Sequence, residues 1–475
     1  MSIVDLKEIL SKIEPIRKLP DKDVDRLWLV GGSIRDAILN REILDFDFAV
    51  DGNVKKIAKN FASSAKTSYI VLHSEFDECR VVYKKKYVFD FAAFRGENIE
   101  QDLIRRDFTI NSLALRLKDI KDGNFNLIDP KSGLDDLSSG MIRVVDGNSF
   151  KDDPLRILRA FRFSSQLDFK IDRSTLTLAS QNAESLSKVS KERIMYELFL
   201  ILENKQSWRY IEEMAELGIF FTIFKDAERL KQTYPELDLW EHSLSTLKEL
   251  EGLLLNDAFM KKFGLDVEEY LDGKKIQTLK LGALFHDIAK PWTLSEDEEG
   301  TLHFYGHDLL GVKMVRSIFK DMKLSNREID AIALLVRHHM RPHLLAREED
   351  LSTRAMRRFL RDIEGEAVGS LLIAYADVVA TNNGDVDPLE KLLEKFVKFK
   401  REEEKRKEFK RLIDGNDLIE NLHLIPGTIF KTILSTVEEE QLEGKIHTKQ
   451  QALELARKIV KKETTAENTE IEKNK

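Results

Sequence analysis

The chain has 475 residues, 42% of them apolar and 34% charged, and a formal net charge of −8. That length predicts two to four domains with sizeable cores, and no apolar run approaches the roughly 20 residues that a membrane helix needs. The acidic balance excludes a generically basic nucleic-acid binder, so any such contact must come from a local patch.

The opening "MSIVDLKEILSKIEPIRK" is amphipathic and carries acids, unlike a secretory signal. "RLWLV" then reads as a buried strand, Gly31-Gly32 as a turn, and "SIRDAILN" as a short helix with Ser33 as its N-cap. "DFDFAV" reads as a second strand. "CRVVY" and "YVFDFAAF" form a predicted β-hairpin around three lysines. Cys79 in this hairpin is the only cysteine, which rules out a disulfide within the chain and fits a reducing, cytoplasmic setting. "FNLIDP" is a further short strand. From about Asp152 the strand signals vanish, and "PLRILRAFRF", "KERIMYELFLIL" and "WRYIEEMAEL" carry apolar residues at helical spacing. "KFVKFKREEEKRKEFKR" is a charged connector helix, and the last stretch, "KKETTAENTEIEKNK", is expected to be frayed or disordered.

In a strand, residues i and i+2 share a face, so Asp45 and Asp47 project side by side while Phe46 and Phe48 enter the core. Adjacent carboxylates repel unless a cation lies between them, and hard oxygen ligands suit Mg²⁺ shared with substrate phosphates. Gly31 and Gly32 allow close backbone approach, and the helix start behind them favours phosphate, with Arg35 one turn further on. Asp90 in "YVFDFAAF" is a candidate third carboxylate. In "DDPLRILRAFR", Pro154 suits a first helical turn, and Asp153, Arg156, Arg159 and Arg162 stay near one face at three-residue steps. An acceptor beside a donor selects cytosine and adenine, which present an amino group next to a ring nitrogen.

With "RRDFTINSLA" at 105–114, "DDPLRILRAFRF" at 152–163, and Asp129, Gly133 and Arg143 between them, the chain resembles the class II tRNA nucleotidyltransferase and bacterial poly(A) polymerase family from about 25 to 215. The resemblance implies an α+β head of polymerase-β type (1–150), followed by all-α parts: a neck with the base-recognition helix (151–225), an HD domain (226–390), a tail (391–462) and a disordered end (463–475). It implies template-independent addition of CMP, and of AMP, from CTP and ATP to the 3′ end of tRNA, with no DNA or membrane partner. Asp45 and Asp47 match the family's Mg²⁺ ligands. Gly32, Arg35 and Arg106 match positions that hold the nucleoside triphosphate. Asp107 and Asn111 lie in the element linked to ribose selection, Asp153 and Arg156 match the base-reading pair, and Arg159 and Arg162 help hold the nucleotide. Only "GENIEQDLI" separates "AAFR" from "RRDFTIN". So short a loop is a feature of CC-adding relatives, which leaves CCA, CC-only and A-only addition open. A bacterial poly(A) polymerase is the runner-up.

Histidines crowd the back half: His242, His286, His303, His307, His338, His339 and His343. "LWEHSL", "LGALFHDIAKP", "HFYGHDLLG", "VRHHMRPH" and "AYADVVATN" resemble the HD phosphohydrolase domain in order and spacing. The resemblance implies a metal held by His242, His286, Asp287 and Asp377, with His307 and His339 for a second ion or for phosphate. Imidazoles with carboxylates suit Mn, Fe, Co, Ni or Zn. The implied chemistry is hydrolysis of a phosphate ester such as a 2′,3′-cyclic phosphate, and a protein that is primarily an HD phosphohydrolase is the alternative from another class. Residues 412–458 resemble the tails of HD-containing members, with Lys431, Lys445, Lys449 and Lys458 as candidate contacts to tRNA phosphates.

Overall fold

The computed structural model describes residues 16, 20–73, 77–234, 237–263, 270–271, 275–381, 384–407, 411–425, 427–442 and 444–473. The amphipathic opening segment lies outside the described residues, apart from Ile16, which is buried in the head's core. The chain forms two compact units, Met1–Glu349 with Arg358–Leu389, and Asp350–Arg357 with Glu390–Lys475.

The first unit begins with a seven-stranded sheet. Its strands are β1 (Leu27–Val30), β2 (Asp45–Val50), β3 (Tyr69–His73), β4 (Glu78–Tyr83), β5 (Tyr87–Ala93), β6 (Ala114–Arg116) and β7 (Leu127–Ile128). Their order is β3-β4-β5-β2-β1-β6-β7. Only β2 and β5 pair in parallel. Alternation along these two strands sends Phe46, Phe48, Phe89 and Phe91 to one buried face. There Phe46 stacks on Phe89 at 4.9 Å, Phe48 on Phe91 at 5.4 Å, and Phe61 of helix α2 (Val54–Ser64) covers Phe89 at 4.7 Å. The opposite face therefore carries Asp45, Asp47 and Asp90, with Asp47 and Asp90 directly in register. The hairpin around the three lysines forms as predicted. Strand β3 escaped the sequence analysis because it is an edge strand whose Ile70, Val71 and Leu72 are all exposed, which erases the alternation.

Between Val30 and β2 lies helix α1 (Gly32–Ile38). Its N-cap is Gly31 at φ +66°, not Ser33. The reversal needs a left-handed residue, and only glycine adopts it without strain. Ser33 is thus already inside the helix, where its hydroxyl donates to the Asp45 carbonyl (3.1 Å) and accepts from the Asp47 amide (3.0 Å). It pins the glycine turn to the carboxylate strand.

Helix α3 (Ile99–Ile104) leads into "RRDFTIN". Gly133 packs so closely on the Thr109 carbonyl that a Cβ there would lie 2.1 Å from its oxygen, while Asp129 accepts from the Gly133 and Leu134 amides. Helices then dominate: α4 (Arg156–Leu167), α5 (Lys191–Leu202), α6 (Leu239–Leu254), α7 (Lys275–Phe285), α8 (His307–Asp321), α9 (Asn326–His338), α10 (Arg341–Ala346) and α11 (Ala367–Ala380). The expectation of no strands beyond Asp152 needs correcting for five two-residue strands among the described residues: Lys170–Ile171 beside Met141–Ile142, and the small ladders Thr233–Tyr234 with Leu237–Asp238 and Ser295–Glu296 with Leu302–His303. Segments this short carry no periodicity for a sequence to display. Pro154 also differs: it precedes α4, whose N-cap is Leu155, and lies in a turn closed by Arg156 N–H donating to the Asp153 carbonyl at 3.0 Å.

Lys280 of α7 is buried between neck and histidine-rich helices. Its ammonium meets Glu251 of α6 at 2.7 Å and donates to the carbonyls of Leu202 and Asn204.

In the second unit, helices Gly415–Leu422, Thr428–Leu442 and Lys449–Lys473 close around Ile413, Leu418, Ile433, Val437, Ala452 and Ala456. The last helix continues to Lys473 through the stretch expected to be disordered. Its Ala, Glu and Lys residues are good helix formers and need no tertiary packing to carry backbone hydrogen bonds.

Candidate nucleotide and metal sites

Two sites emerge in the first unit. At the front, a Cβ added to Gly31 would lie 3.0 Å from Arg106 Nη1 and 3.6 Å from Asp47 Oδ2. One added to Gly32 would lie 3.5 Å from Arg35 Nη2 and 3.9 Å from the same carboxylate oxygen. The glycine turn therefore holds open a cradle bounded by two guanidinium groups and a carboxylate, the donor and acceptor set that a metal-bound triphosphate requires. Helix α1 has seven residues, so the cradle's positive charge comes mainly from Arg35 and Arg106 rather than from a helix dipole. Burial pushes the Asp47 carboxyl up to about 6, with Asp90 and Asp45 adding to the shift and Arg106 and Arg35 opposing it. Such a group gains from a divalent cation. Asp90 shares the face but is gripped by both guanidinium arms of Arg80, each contact at 2.7 Å.

A polar chain runs from this cradle to the neck. Arg35 Nη1 donates to Asn111 Oδ1 (2.8 Å), Asn111 donates to Asp107 (3.0 Å), and Arg159 grips Asp107 Oδ2 (2.6 and 2.9 Å). Burial opposes the charge on Asp107, but Arg159 and Asn111 hold its carboxyl far below the usual range. Asp107, Asp153, Arg156, Arg159, Arg106 and Arg193 line a cleft of about 290 Å³ beside the cradle. Arg162, foreseen on the same face, is not in that lining. Its guanidinium turns to the buried Glu197 of α5 at 2.6 Å, because three-residue steps drift around a 3.6-residue helix. Arg156 is buried and clasps the carbonyls of Arg105 and Arg106 and the Ser149 hydroxyl, which leaves Nε without a partner among the described residues. Three participants were missed from sequence: Arg193, paired with Asp153 at 3.1 Å, Glu197, and Asp102, which grips Arg106. Nothing in their local pattern separates them from ordinary surface charges.

The histidine cluster resolves into two adjacent sets. His242, His286 and Asp377 form one, and Asp287, His307 and His339 the other. His242 Nε2 lies 2.8 Å from Asp377 Oδ1, and His286 Nε2 lies 3.2 Å from Asp287 Oδ2. On the other side of Asp287, Oδ1 lies 3.6 Å from Nε2 of both His307 and His339. His286, His307 and His339 each turn Nδ1 onto a backbone carbonyl, of Ala283, Phe304 and Val336, which aims Nε2 at Asp287, with the Nε2 atoms of His307 and His339 3.1 Å apart. Buried Asp287 Oδ1 has no hydrogen-bond partner, and His286 Nε2, Asp287 Oδ2 and His343 Nε2 have ion-pair neighbours but no well-aligned hydrogen bond. Orphaned buried atoms of this kind are costly without an ion, so the donor set fits a metal. Burial opposes a charge on His286, yet Asp287 and Asp377 raise it to about 10, whereas burial and the His286 charge push His339 down to about 3. Lys290, 2.5 Å from Asp287 Oδ2, and His343, 3.1 Å from Asp377 Oδ2, complete the surroundings. His303 stands apart, paired with Asp297.

A strand-borne carboxylate pair, one of them against a Gly-Gly turn and two arginines, on a mixed sheet, defines a nucleotidyltransferase head of polymerase-β type. Residues 27–143 match the poly A polymerase head domain, 168–231 the probable RNA and SrmB-binding site of polymerase A, and 239–382 the HD domain. The chain belongs to the tRNA nucleotidyltransferase and poly(A) polymerase family. It is 27% identical to a CC-adding tRNA nucleotidyltransferase of Synechocystis sp., over 91% of this chain and 93% of that one. It is 30% identical to a multifunctional CCA protein of Neisseria meningitidis, over 66% of this chain and 72% of the relative. It shares its fold with the Thermotoga maritima CCA-adding enzyme solved with tRNA, at a TM-score of 0.65, 21% identity, and coverage of 96% and 98%. No helix among the described residues is long and apolar enough to cross a membrane.

Proposed function

We propose that this cytoplasmic protein adds CMP from CTP to the 3′ end of tRNA, building the CC of its terminus. The carrying observation is the cradle in which Asp47, with Asp45 on the same strand face, meets the Gly31-Gly32 turn between Arg35 and Arg106. Asp45 and Asp47 hold Mg²⁺, which when bound lowers the pKa of the RNA 3′-hydroxyl and offsets charge on the transferring phosphoryl group. Arg35 and Arg106 orient the triphosphate, and the glycines keep side chains out of its path. Asp107 and Asn111 face the sugar. Asp153 accepts from the exocyclic amino group of the base, and Arg156 donates from Nε to the ring nitrogen. CC addition is favoured by the short connection, residues 94–98, between β5 and α3, and by the CC-adding relative.

Transcripts of tRNA ending before the first C, after one C and after CC, given CTP and ATP separately, test this. Two CMP additions and no AMP are expected. AMP on the CC-ended transcript would mark full CCA addition, and homopolymeric A on unrelated RNA a poly(A) polymerase. Undiminished CMP incorporation by Asp45→Ala, Asp47→Ala protein would overturn the metal assignment.

A second activity is favoured by the orphaned atoms around Asp287. His242, His286 and Asp377 on one side and His307 and His339 on the other, with Asp287 within reach of both, would hold transition-metal ions, which would supply the Lewis acid and activated water for hydrolysis of a 2′,3′-cyclic phosphate or another phosphate ester. Elemental analysis should find two ions per chain, and Asp287→Ala should lose both. Full metal content in that variant would reject this role for Asp287.

A further inference from the structure

Asp102 is buried, lies on α3, and was singled out by neither its sequence pattern nor the family motifs. Both of its oxygens are engaged. Oδ1 accepts from the backbone amide of Arg95 at 3.0 Å, and Oδ2 accepts from Arg106 Nε at 3.1 Å and Nη2 at 2.9 Å. The Arg106 carbonyl is held from the other side by Arg156 Nη1 at 3.3 Å. Main chain and side chain of Arg106 are thus fixed from two directions. One guanidinium nitrogen, Nη1, is left without a hydrogen-bond partner among the described residues, and it is the atom that approaches Gly31 beside Asp47.

We propose that Asp102 is the positioning residue of the triphosphate site: it orients Arg106 so that Nη1 alone meets the phosphates. A free arginine side chain samples many rotamers, and a carboxylate that takes Nε and Nη2 together removes most of that freedom before the ligand arrives. A buried carboxylate also offsets part of the guanidinium charge, so Arg106 holds the leaving pyrophosphate without trapping it. The same carboxylate caps the turn after β5, tying the connection at residues 94–98 to the phosphate-binding nitrogen. Arg95 and Arg106 flank Asp102 in the sequence, yet only the end of α3 brings both onto one carboxylate.

The inference rests on the nucleotidyltransferase reading, and a double-mutant cycle separates the two. Wild type, Asp102→Asn, Asp102→Glu, Arg106→Ala and the Asp102→Asn, Arg106→Ala double variant are compared for CMP incorporation into tRNA. Asparagine keeps the size and the acceptor for Arg95 but presents an amide donor to Arg106. Its KM for CTP should rise about tenfold or more, while inhibition by CMP, which lacks the β- and γ-phosphates, stays within twofold of wild type. Glutamate should recover part of the loss. The double variant should be no worse than Arg106→Ala alone, because Asp102 acts through that side chain. Additive losses, or equal weakening of CTP and CMP, would overturn the proposal. Should Asp102→Asn fold poorly, Asp102→Glu provides the same CTP-against-CMP comparison. Absence of CMP incorporation by the wild type would instead remove the underlying function.

Discussion

Replacing Asp47 by asparagine should make the metal-free protein more stable while abolishing nucleotide transfer. Asp47 ionises near its ordinary value of 3.8 when the chain is unfolded and at about 6 in the fold, chiefly because of burial and then through Asp90 and Asp45. At about 1.4 kcal/mol per tenfold change in proton affinity, that difference is ~3 kcal/mol. Asp47 is only part-buried, so water and counter-ions reduce the figure to about 1–2 kcal/mol. The sign follows from the raised folded value. Below about pH 3 the group is protonated in both states and has no effect. As pH rises from 4 through 6 the unfolded chain releases its proton first, and the fold loses stability that stays lost above pH 6. Asparagine carries no such penalty. Thermal unfolding in the presence of a chelator should therefore give the variant a midpoint a few degrees above wild type at pH 7.5, with the difference shrinking as pH falls and nearly gone by about pH 3. Added Mg²⁺ should raise the wild-type midpoint and leave the variant unmoved, by mass action on the folded state. A variant no more stable than wild type at pH 7.5 without metal would refute the idea that these carboxylates are held against their mutual repulsion for a cation.

Two further perturbations probe the scaffold. Gly31→Ala places a methyl 3.0 Å from Arg106 Nη1 at φ +66°. The left-handed backbone costs about 1–2 kcal/mol, so the unfolding midpoint should fall only slightly while CMP incorporation drops more than tenfold; comparable CTP kinetics would mean that the cradle is not the phosphate site. Lys280→Met leaves Glu251 buried without its cation and should cost about 3–5 kcal/mol in chemical denaturation. Glu251→Gln added to it should restore part of that loss, because the uncompensated charge is removed and the single amide oxygen still accepts from the Ser207 amide and hydroxyl, although the Trp208 amide loses its acceptor.

The two sites differ in how the fold treats charge. Around Asp107 each carboxylate has an arginine within hydrogen-bond reach, so the network is complete without a ligand. Around Asp287 histidine Nε2 atoms converge, and His286 Nε2 and both Asp287 oxygens lack a well-aligned hydrogen bond. Incomplete satisfaction is tolerated in a buried site where an ion supplies the missing interaction. That contrast supports reading the first as a preformed nucleotide pocket and the second as a metal centre.

The strand period of two was enough to place Asp45 and Asp47 on one face and Phe46 and Phe48 on the other, because alternation is a property of local backbone geometry. The glycine turn and the pairing of the hairpin around the lysines were legible for the same reason. The histidine groups were legible as a crowd, but their division into two adjacent sets came only from the packing of α6, α8, α9 and α11 around the residues that follow α7. Where a long side chain ends was also beyond the sequence. Equal spacing made Arg156, Arg159 and Arg162 look equivalent, yet one clasps backbone carbonyls, one meets Asp107 and one meets Glu197. A guanidinium goes to whichever buried acceptor lies within its reach. The acceptors, among them Asp102 for Arg106 and Glu251 for Lys280, are delivered by elements distant in sequence or by the exact end of a helix. Local chemistry thus decided which groups the chain offers, and tertiary packing decided which of them meet.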